Sequence, residues 1–135
     1  MSTRRTILLV DDEISARKFT QRILQDAGYT VVDAGNYRDA VIACQRYRAE
    51  IGLLLTAITL PGNNGYELAN ALLEITPDLK VLFMSGQTGA EVSRYYRLPS
   101  ADAQFLDKPF EAADLVERVQ KALASAEPST GAAAG

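Results

Sequence analysis

The feature that most constrains this 135-residue chain is the regular alternation of short apolar runs with longer amphipathic segments. The apolar runs have the length and composition of short β-strands and occupy 6–10, 30–33, 51–55, 80–84 and 103–106. Apolar residues recur at the three- and four-residue spacing of an α-helix in 14–27, 36–47, 65–75, 90–96 and 112–126. Repeated strand–helix units predict a parallel sheet with helices on both faces.

Three of the apolar runs are almost uninterrupted, which is typical of strands covered on both sides. Five strands in a chain of this length favour an α/β, flavodoxin-like, doubly wound parallel sheet with strand order 2-1-3-4-5. Residues 1–126 are predicted to form one domain, and 127–135 a flexible C-terminal tail. On the first helix, apolar residues at three- and four-residue spacing predict one apolar face, formed by Ala16, Phe19, Ile23, Leu24 and Ala27.

Composition excludes several classes of function. The chain has no histidine, which rules out Ser-His and Cys-His nucleophilic sites and leaves oxygen ligands for a metal, as Mg²⁺ prefers. Its single cysteine, Cys44, is interpreted as a small apolar helix residue and favours a cytoplasmic setting. A net charge of −3 argues against direct nucleic-acid binding, and no apolar stretch is long enough to span a membrane.

Sites in doubly wound sheets form beyond the carboxyl ends of the strands, where several polar residues are expected to meet. Asp11 and Asp12 follow the first strand, Ser85 follows the fourth, and Lys108 follows the fifth. The acidic pair could hold Mg²⁺ while Lys108 and Ser85 contact a phosphoryl group. The alternatives are that the pair begins a helix and that Lys108 is a solvated surface residue. The third strand leads to Ala57, which has no reactive side chain.

Four motifs, in this order, carry a resemblance: ILLVDDE (7–13), LLLTAITLPGNNG (53–65), VLFMSGQTG (81–89) and FLDKPF (105–110). With them the chain resembles the receiver domains of two-component response regulators, notably the single-domain chemotaxis-type receivers, over residues 5–125. In that family an aspartate four residues before the loop proline accepts a phosphoryl group from a phosphohistidine. Counting back four residues from Pro61 leads to Ala57.

The resemblance also implies the roles of the other residues. The metal would be held by Asp11, Asp12 and the backbone carbonyl of Thr59, and the phosphoryl group would be contacted by Ser85 and Lys108. Phe105 would be the switch aromatic. The expected partners are a histidine kinase or phosphotransfer protein and, through the face of the fourth helix, fifth strand and fifth helix, a downstream protein or a second copy of the chain. The residues expected on that face are Tyr95, Tyr96 and Arg97.

Ala57 alters these expectations, because a methyl group cannot attack phosphorus. We expect a receiver that does not accept phosphate, does not catalyse its own phosphorylation, and binds Mg²⁺ more weakly than a site with three carboxylates. The sequence leaves open whether Ala57 is a natural residue or a deliberate replacement of aspartate, and whether the chain is a whole protein or an excised domain.

Functions of other kinds are also compatible with parts of the pattern. A phosphorylation-independent interaction module, or pseudo-receiver, is the main alternative. A Mg²⁺-dependent phosphohydrolase of related topology is disfavoured by Ala57, since such enzymes also need a carboxylate nucleophile. An FMN-binding flavodoxin is disfavoured because the acidic pair would repel the phosphate of the cofactor.

Overall fold

The computed structural model describes residues 5–85, 104–107 and 110–124. Within these residues a five-stranded sheet has the strand order β2-β1-β3-β6-β7, and every pair of neighbours is parallel. The short strands β4 and β5 form a separate antiparallel pair. In terms of the five predicted strands the order is 2-1-3-4-5, so the predicted doubly wound fold is confirmed.

The strands are β1 (Thr6–Val10), β2 (Thr30–Ala34), β3 (Ile51–Ala57), β4 (Thr59–Leu60), β5 (Asn63–Asn64), β6 (Lys80–Ser85) and β7 (Gln104–Asp107). The helices are α1 (Ile14–Asp26), α2 (Tyr37–Tyr47), α3 (Gly65–Ile75) and α4 (Ala112–Ala124). Most predicted bounds differ from these by one or two residues, which is usual at the ends of elements. The predicted helix at 90–96 and the predicted tail at 127–135 lie outside the described residues.

The third strand is longer than predicted, and this difference affects the site. β3 continues through Thr56 to Ala57, because Ala57 pairs with Met84 of β6 and so remains in the sheet. All seven residues of β3 are buried, as expected of a central strand covered on both faces. Ala57 is therefore the last residue of a strand rather than the first residue of a loop.

Two hydrophobic clusters cover the two faces of the sheet. One joins β-strand residues to α2 and α3, through buried residues that include Ala40, Cys44, Leu68 and Leu72. The other joins the sheet to α1 and α4, through Leu24, Leu115, Val119 and Ala122. The helices thus lie on both sides of the sheet, as the repeated strand–helix units predicted.

The predicted buried face of α1 is wrong in part. Leu24 is fully buried, but Phe19 is 56% exposed and Ala27 is exposed, while the polar Thr20 is buried. The apolar residues of α1 extend around a wide part of the helix surface. Only the side that carries Ile23 and Leu24 packs against the hydrophobic cluster on the sheet. Ile14, at the start of the same helix, is also exposed. Among the described residues, no helix combines the length and the apolar character that crossing a membrane requires.

Candidate functional site

The carboxyl ends of β1, β3, β6 and β7 meet along one edge of the sheet. Val10, the last residue of β1, pairs with Thr56 of β3. Asp11, the residue after β1, is therefore next to Ala57, the last residue of β3. Ala57 pairs with Met84, and Ser85 pairs with Asp107. Parallel register therefore brings the end of each strand to the same edge, where sites in such sheets form.

The two acidic residues after β1 have different surroundings. Asp11 is almost completely buried, at 2% exposure, whereas Asp12 is exposed. The Asp11 carboxylate accepts a hydrogen bond from the Glu13 backbone N–H at 3.1 Å. Glu13 is in turn the N-cap of α1, because its carboxylate accepts from the Ala16 N–H at 2.9 Å. The acidic run thus both begins a helix and places a buried carboxylate at the edge of the sheet.

The backbone of Asp11 is bonded on both sides. Its N–H donates to the carbonyl of Ala34, the last residue of β2, at 3.2 Å. Its carbonyl accepts from Nη1 of Arg17, one turn into α1, at 2.6 Å. The same guanidinium forms an ion pair with Asp33 through Nε, at 2.9 Å, and the Arg17 side chain is only 17% exposed. Arg17 therefore connects α1, the end of β1 and the end of β2.

Gly35 leaves room for this guanidinium. A methyl group built on Gly35 would lie 2.8 Å from Arg17 Nη1, which is closer than real Cβ contacts occur. The Arg17 side chain would have to move if residue 35 carried a Cβ. Neither Arg17, Asp33 nor Gly35 was predicted as part of the site. The sequence shows an arginine shortly after the acidic run and an aspartate near the end of the second strand. These two positions do not by themselves predict that the side chains are in contact.

The end of β3 is apolar and tightly packed. Ala57 is 6% exposed, and its carbonyl accepts a hydrogen bond from the Thr56 hydroxyl at 2.8 Å. Gly65, the first residue of α3, packs directly against this carbonyl, and a Cβ on Gly65 would collide with the Ala57 oxygen. At the end of β3 the only side chain at position 57 is therefore a methyl group. The backbone carbonyl of Ala57 is fixed by the Thr56 hydroxyl and by close packing against Gly65.

The loop after β3 is closed by backbone hydrogen bonds. The Ile58 N–H donates to the Met84 carbonyl at 3.3 Å, and the Gly65 N–H donates to the Ile58 carbonyl at 2.6 Å. Thr59 is exposed and pairs with Asn64 in the short β4–β5 ladder. Gly62 takes a positive φ of 75° in the turn between these strands, a conformation that glycine adopts without strain. The position of Thr59 is thus defined by the ladder rather than by its own side chain.

Phe105 on β7 belongs to a group of three aromatic rings. Its ring centroid lies 5.4 Å from that of Phe83, its partner in the sheet, and 6.5 Å from that of Tyr66 at the start of α3. Tyr66 and Phe83 are buried, and their centroids are 4.7 Å apart. Arg118 of α4 donates to the Phe105 carbonyl at 2.7 Å. Phe105 is half-buried and packs inward on these rings.

Several predicted site residues cannot be located. Lys108 and the surface residues Tyr95, Tyr96 and Arg97 lie outside the described residues, and for Ser85 only the backbone is described. The backbone of Ser85 and of Asp107, which precedes Lys108, is at the predicted edge. The roles assigned to these residues stay predictions.

The donor set at this edge suits a hard cation only in part. In the described residues, no three acidic, cysteine or histidine side chains are grouped to hold a metal ion. Two adjacent carboxylates and a backbone carbonyl are oxygen ligands that Mg²⁺ accepts, with water completing its coordination. A cation bound between neighbouring carboxylates would reduce the repulsion between their charges.

Comparison with known proteins connects this geometry to a family. Residues 7–120 match the family model described as the response regulator receiver domain. The chain belongs to the response regulator receiver domain family. The matched region runs from β1 into α4, so it includes every strand end described above.

Individual receiver proteins are similar along most of the chain. The response regulator receiver protein CpdR of Brucella abortus (strain 2308) is 37% identical over 121 residues, which cover 89% of this chain and 98% of that protein. The sensor kinase CckA of the same strain is 34% identical over 125 residues, 91% of this chain but 13% of the kinase. The crystal structure of the receiver domain from the hybrid histidine kinase CckA superposes with a TM-score of 0.75 at 29% identity, covering 87% of this chain and 98% of that domain.

Proposed function

We propose that this chain is a two-component receiver that cannot form an acyl phosphate, because Ala57 occupies the phosphoacceptor position. Receivers take part in phosphotransfer with kinases or phosphotransfer proteins, and such a partner is proposed here too. The observation that carries the proposal is the position of Ala57. It ends the central strand, it is paired with β6, and it neighbours the acidic end of β1.

The surroundings of Ala57 support the absence of a substitute nucleophile. Thr56 is buried and uses its hydroxyl as a donor to the Ala57 carbonyl. Thr59 is exposed, and the chain has no histidine to act as its general base. A methyl group at Ala57 has no lone pair with which to attack phosphorus. We therefore expect no self-phosphorylation and no enzymatic turnover of the chain as it stands.

The metal-binding part of the proposal concerns Asp11, Asp12 and the Thr59 carbonyl, which would hold Mg²⁺ together with water. Bound Mg²⁺ would neutralise charge on a phosphoryl group, and Lys108 and Ser85 would contact its oxygens. With two carboxylates instead of three, the affinity for Mg²⁺ should be low. A dissociation constant well below millimolar in a calorimetric titration with MgCl₂ would count against this part of the proposal.

The substitution Ala57→Asp tests the proposal directly. Incubated with acetyl phosphate and Mg²⁺, the variant should gain the mass of one phosphoryl group, and the unchanged chain should gain none. The matched control is Ala57→Asn, which has the same shape without a nucleophilic carboxylate and should also gain none. Phosphorylation of the unchanged chain, or failure of a folded, Mg²⁺-binding Ala57→Asp variant to be phosphorylated, would refute the proposed role of position 57.

A phosphorylation-independent interaction module is the second candidate, and the packing of Phe105 favours it. In the receiver family the aromatic on the last strand turns inward on phosphorylation. Here Phe105 already packs against Phe83 and Tyr66 while position 57 carries a methyl group. The same Ala57→Asp sample distinguishes the candidates. Nuclear Overhauser contacts between Phe105 and Phe83 that are present before acetyl phosphate is added favour the module, and contacts that appear only afterwards favour a switch.

A further inference from the structure

We infer that Arg17 is a positioning residue for the acidic pair: it fixes the Asp11 backbone so that the neighbouring carboxylates are preorganised for a divalent cation. The inference rests on the proposed function, since it takes Asp11 and Asp12 as the cation site. Arg17 would not touch the cation itself. It acts through the backbone carbonyl to which its guanidinium donates at 2.6 Å.

The geometry leaves Asp11 little freedom. Its N–H is bonded to Ala34 of β2, its carbonyl to Arg17, and its carboxylate to the Glu13 N–H. The peptide groups on both sides of its Cα are therefore held by neighbouring elements. A ligand whose backbone is already ordered loses less conformational entropy when it binds. Groups that orient metal ligands in this way commonly change metal affinity by about tenfold or more when they are removed.

Arg17 is itself held in place on three sides. Its Nε donates to Asp33 at 2.9 Å, its stem belongs to α1, and Gly35 provides the space for Nη1. A planar guanidinium can bond two acceptors at a fixed angle, which the single ammonium of lysine cannot. The arrangement therefore uses a property specific to arginine, and not only its positive charge.

An electrostatic role and a positioning role of Arg17 predict opposite changes in Mg²⁺ affinity when the residue is removed. If the guanidinium acted only as a nearby positive charge, its removal would reduce the repulsion felt by Mg²⁺ and strengthen binding. If it orders Asp11, its removal weakens binding. The sign of the change in Mg²⁺ affinity therefore separates a positioning role from a purely electrostatic one.

The test is a titration with MgCl₂, followed through the amide NMR shifts of Asp12 and Glu13, well below the melting temperature of each variant. Arg17→Ala should raise the dissociation constant about tenfold. The matched control is Lys18→Ala, an exposed neighbour on the same helix, which loses the same charge and should stay within about twofold of the unchanged chain or bind slightly more tightly.

Gly35→Ala provides a second variant that changes no charge. Its Cβ should displace the guanidinium, so Mg²⁺ binding should weaken by several fold. In a chain that already carries Arg17→Ala, the same change at Gly35 should have no further effect, because the group that it displaces is gone. The pair forms a double-mutant cycle that isolates the Arg17 contact. If Arg17→Ala does not fold, Gly35→Ala by itself still tests the role: unchanged Mg²⁺ binding by this variant would overturn it.

The outcomes distinguish this inference from the proposed function. Equal or tighter Mg²⁺ binding by Arg17→Ala, or an equal effect of Gly35→Ala with and without Arg17, would overturn the positioning role while Mg²⁺ binding itself persists. Absence of Mg²⁺ binding in both the unchanged chain and Ala57→Asp would overturn the metal site, and the inference with it. Weaker binding in both single variants, and no added effect in the double variant, would support the role.

Discussion

The ends of β1 and β3 are neighbours in the sheet but are built in different ways. At β1, a buried carboxylate is surrounded by polar contacts: a backbone donor, an N-cap and the Arg17–Asp33 ion pair. At β3, the last side chain is a methyl group that belongs to a hydrophobic cluster, and Gly65 packs against its backbone carbonyl. The end of β1 is followed by charged side chains, and the last residue of β3, Ala57, has no ionisable group.

The two parts of the edge are held by different sets of contacts. The hydrogen bonds described for Asp11 connect it to Glu13, Arg17 and Ala34. The packing at Ala57 depends on Gly65 and on the hydrogen bonds of the loop after β3. We therefore expect the hydrogen bonds described for Asp11 to persist when the residue at position 57 is changed.

The largest effect on stability is expected from Gly65→Ala. The new Cβ would collide with the Ala57 carbonyl, which is backbone in a central strand and cannot move aside easily. Overpacking of this kind should lower the free energy of unfolding by about 3 kcal/mol, measured by urea denaturation. The control is Gly62→Ala: Gly62 has a positive φ but open space around it, so only backbone strain of about 1 kcal/mol is expected. Similar losses for both variants would show that the packing behind Ala57 is unimportant.

A smaller effect is expected from Ala57→Asp without metal. The new carboxylate would be placed in a nearly buried position at the end of the strand next to Asp11, and charge repulsion should lower the free energy of unfolding by roughly 2 kcal/mol. Addition of MgCl₂ should restore most of this loss, because cation binding stabilises only the folded state. Ala57→Asn should show no such recovery. If Mg²⁺ leaves the urea midpoint of Ala57→Asp unchanged, the two strand ends do not share a cation.

The smallest difference is expected between the two helix caps. Asn64 caps α3 after the β3 loop, and Glu13 caps α1 after β1, each by accepting a backbone N–H at 2.9 Å. Asparagine is a preferred N-cap residue and glutamate is not, so Asn64→Ala should cost about 1 kcal/mol and Glu13→Ala roughly half of that. Thermal unfolding monitored by circular dichroism measures both. A larger loss for Glu13→Ala would mean that the acidic end depends on this carboxylate more than the cap accounts for.

The strands and the edge where they meet could be predicted because continuous apolar runs such as Leu53–Leu55 are buried wherever such a sheet forms. The buried side of α1 could not be predicted in the same way. Phe19 and Leu24 are both strongly apolar, and only the packing of the helix against the sheet decides that Leu24 is buried and Phe19 is exposed. The β4–β5 ladder has two residues in each strand, too few for a period to show. The Arg17–Asp33 pair was missed because it joins two elements, and residue spacing within one element carries no information about it.

The burial of Cys44 has a practical consequence. It is the only thiol of the chain, it lies on the buried face of α2, and desolvation raises its pKa in spite of the nearby Arg48 guanidinium. Because the thiolate is the reactive form, an alkylating reagent meets a sulfur that is both covered and protonated. Labelling therefore requires that Cys44 become exposed, either by local opening of α2 or by unfolding of the whole domain. The rate of labelling measures how often Cys44 becomes exposed. It reports on the face of the sheet that α2 covers, opposite the face covered by α1.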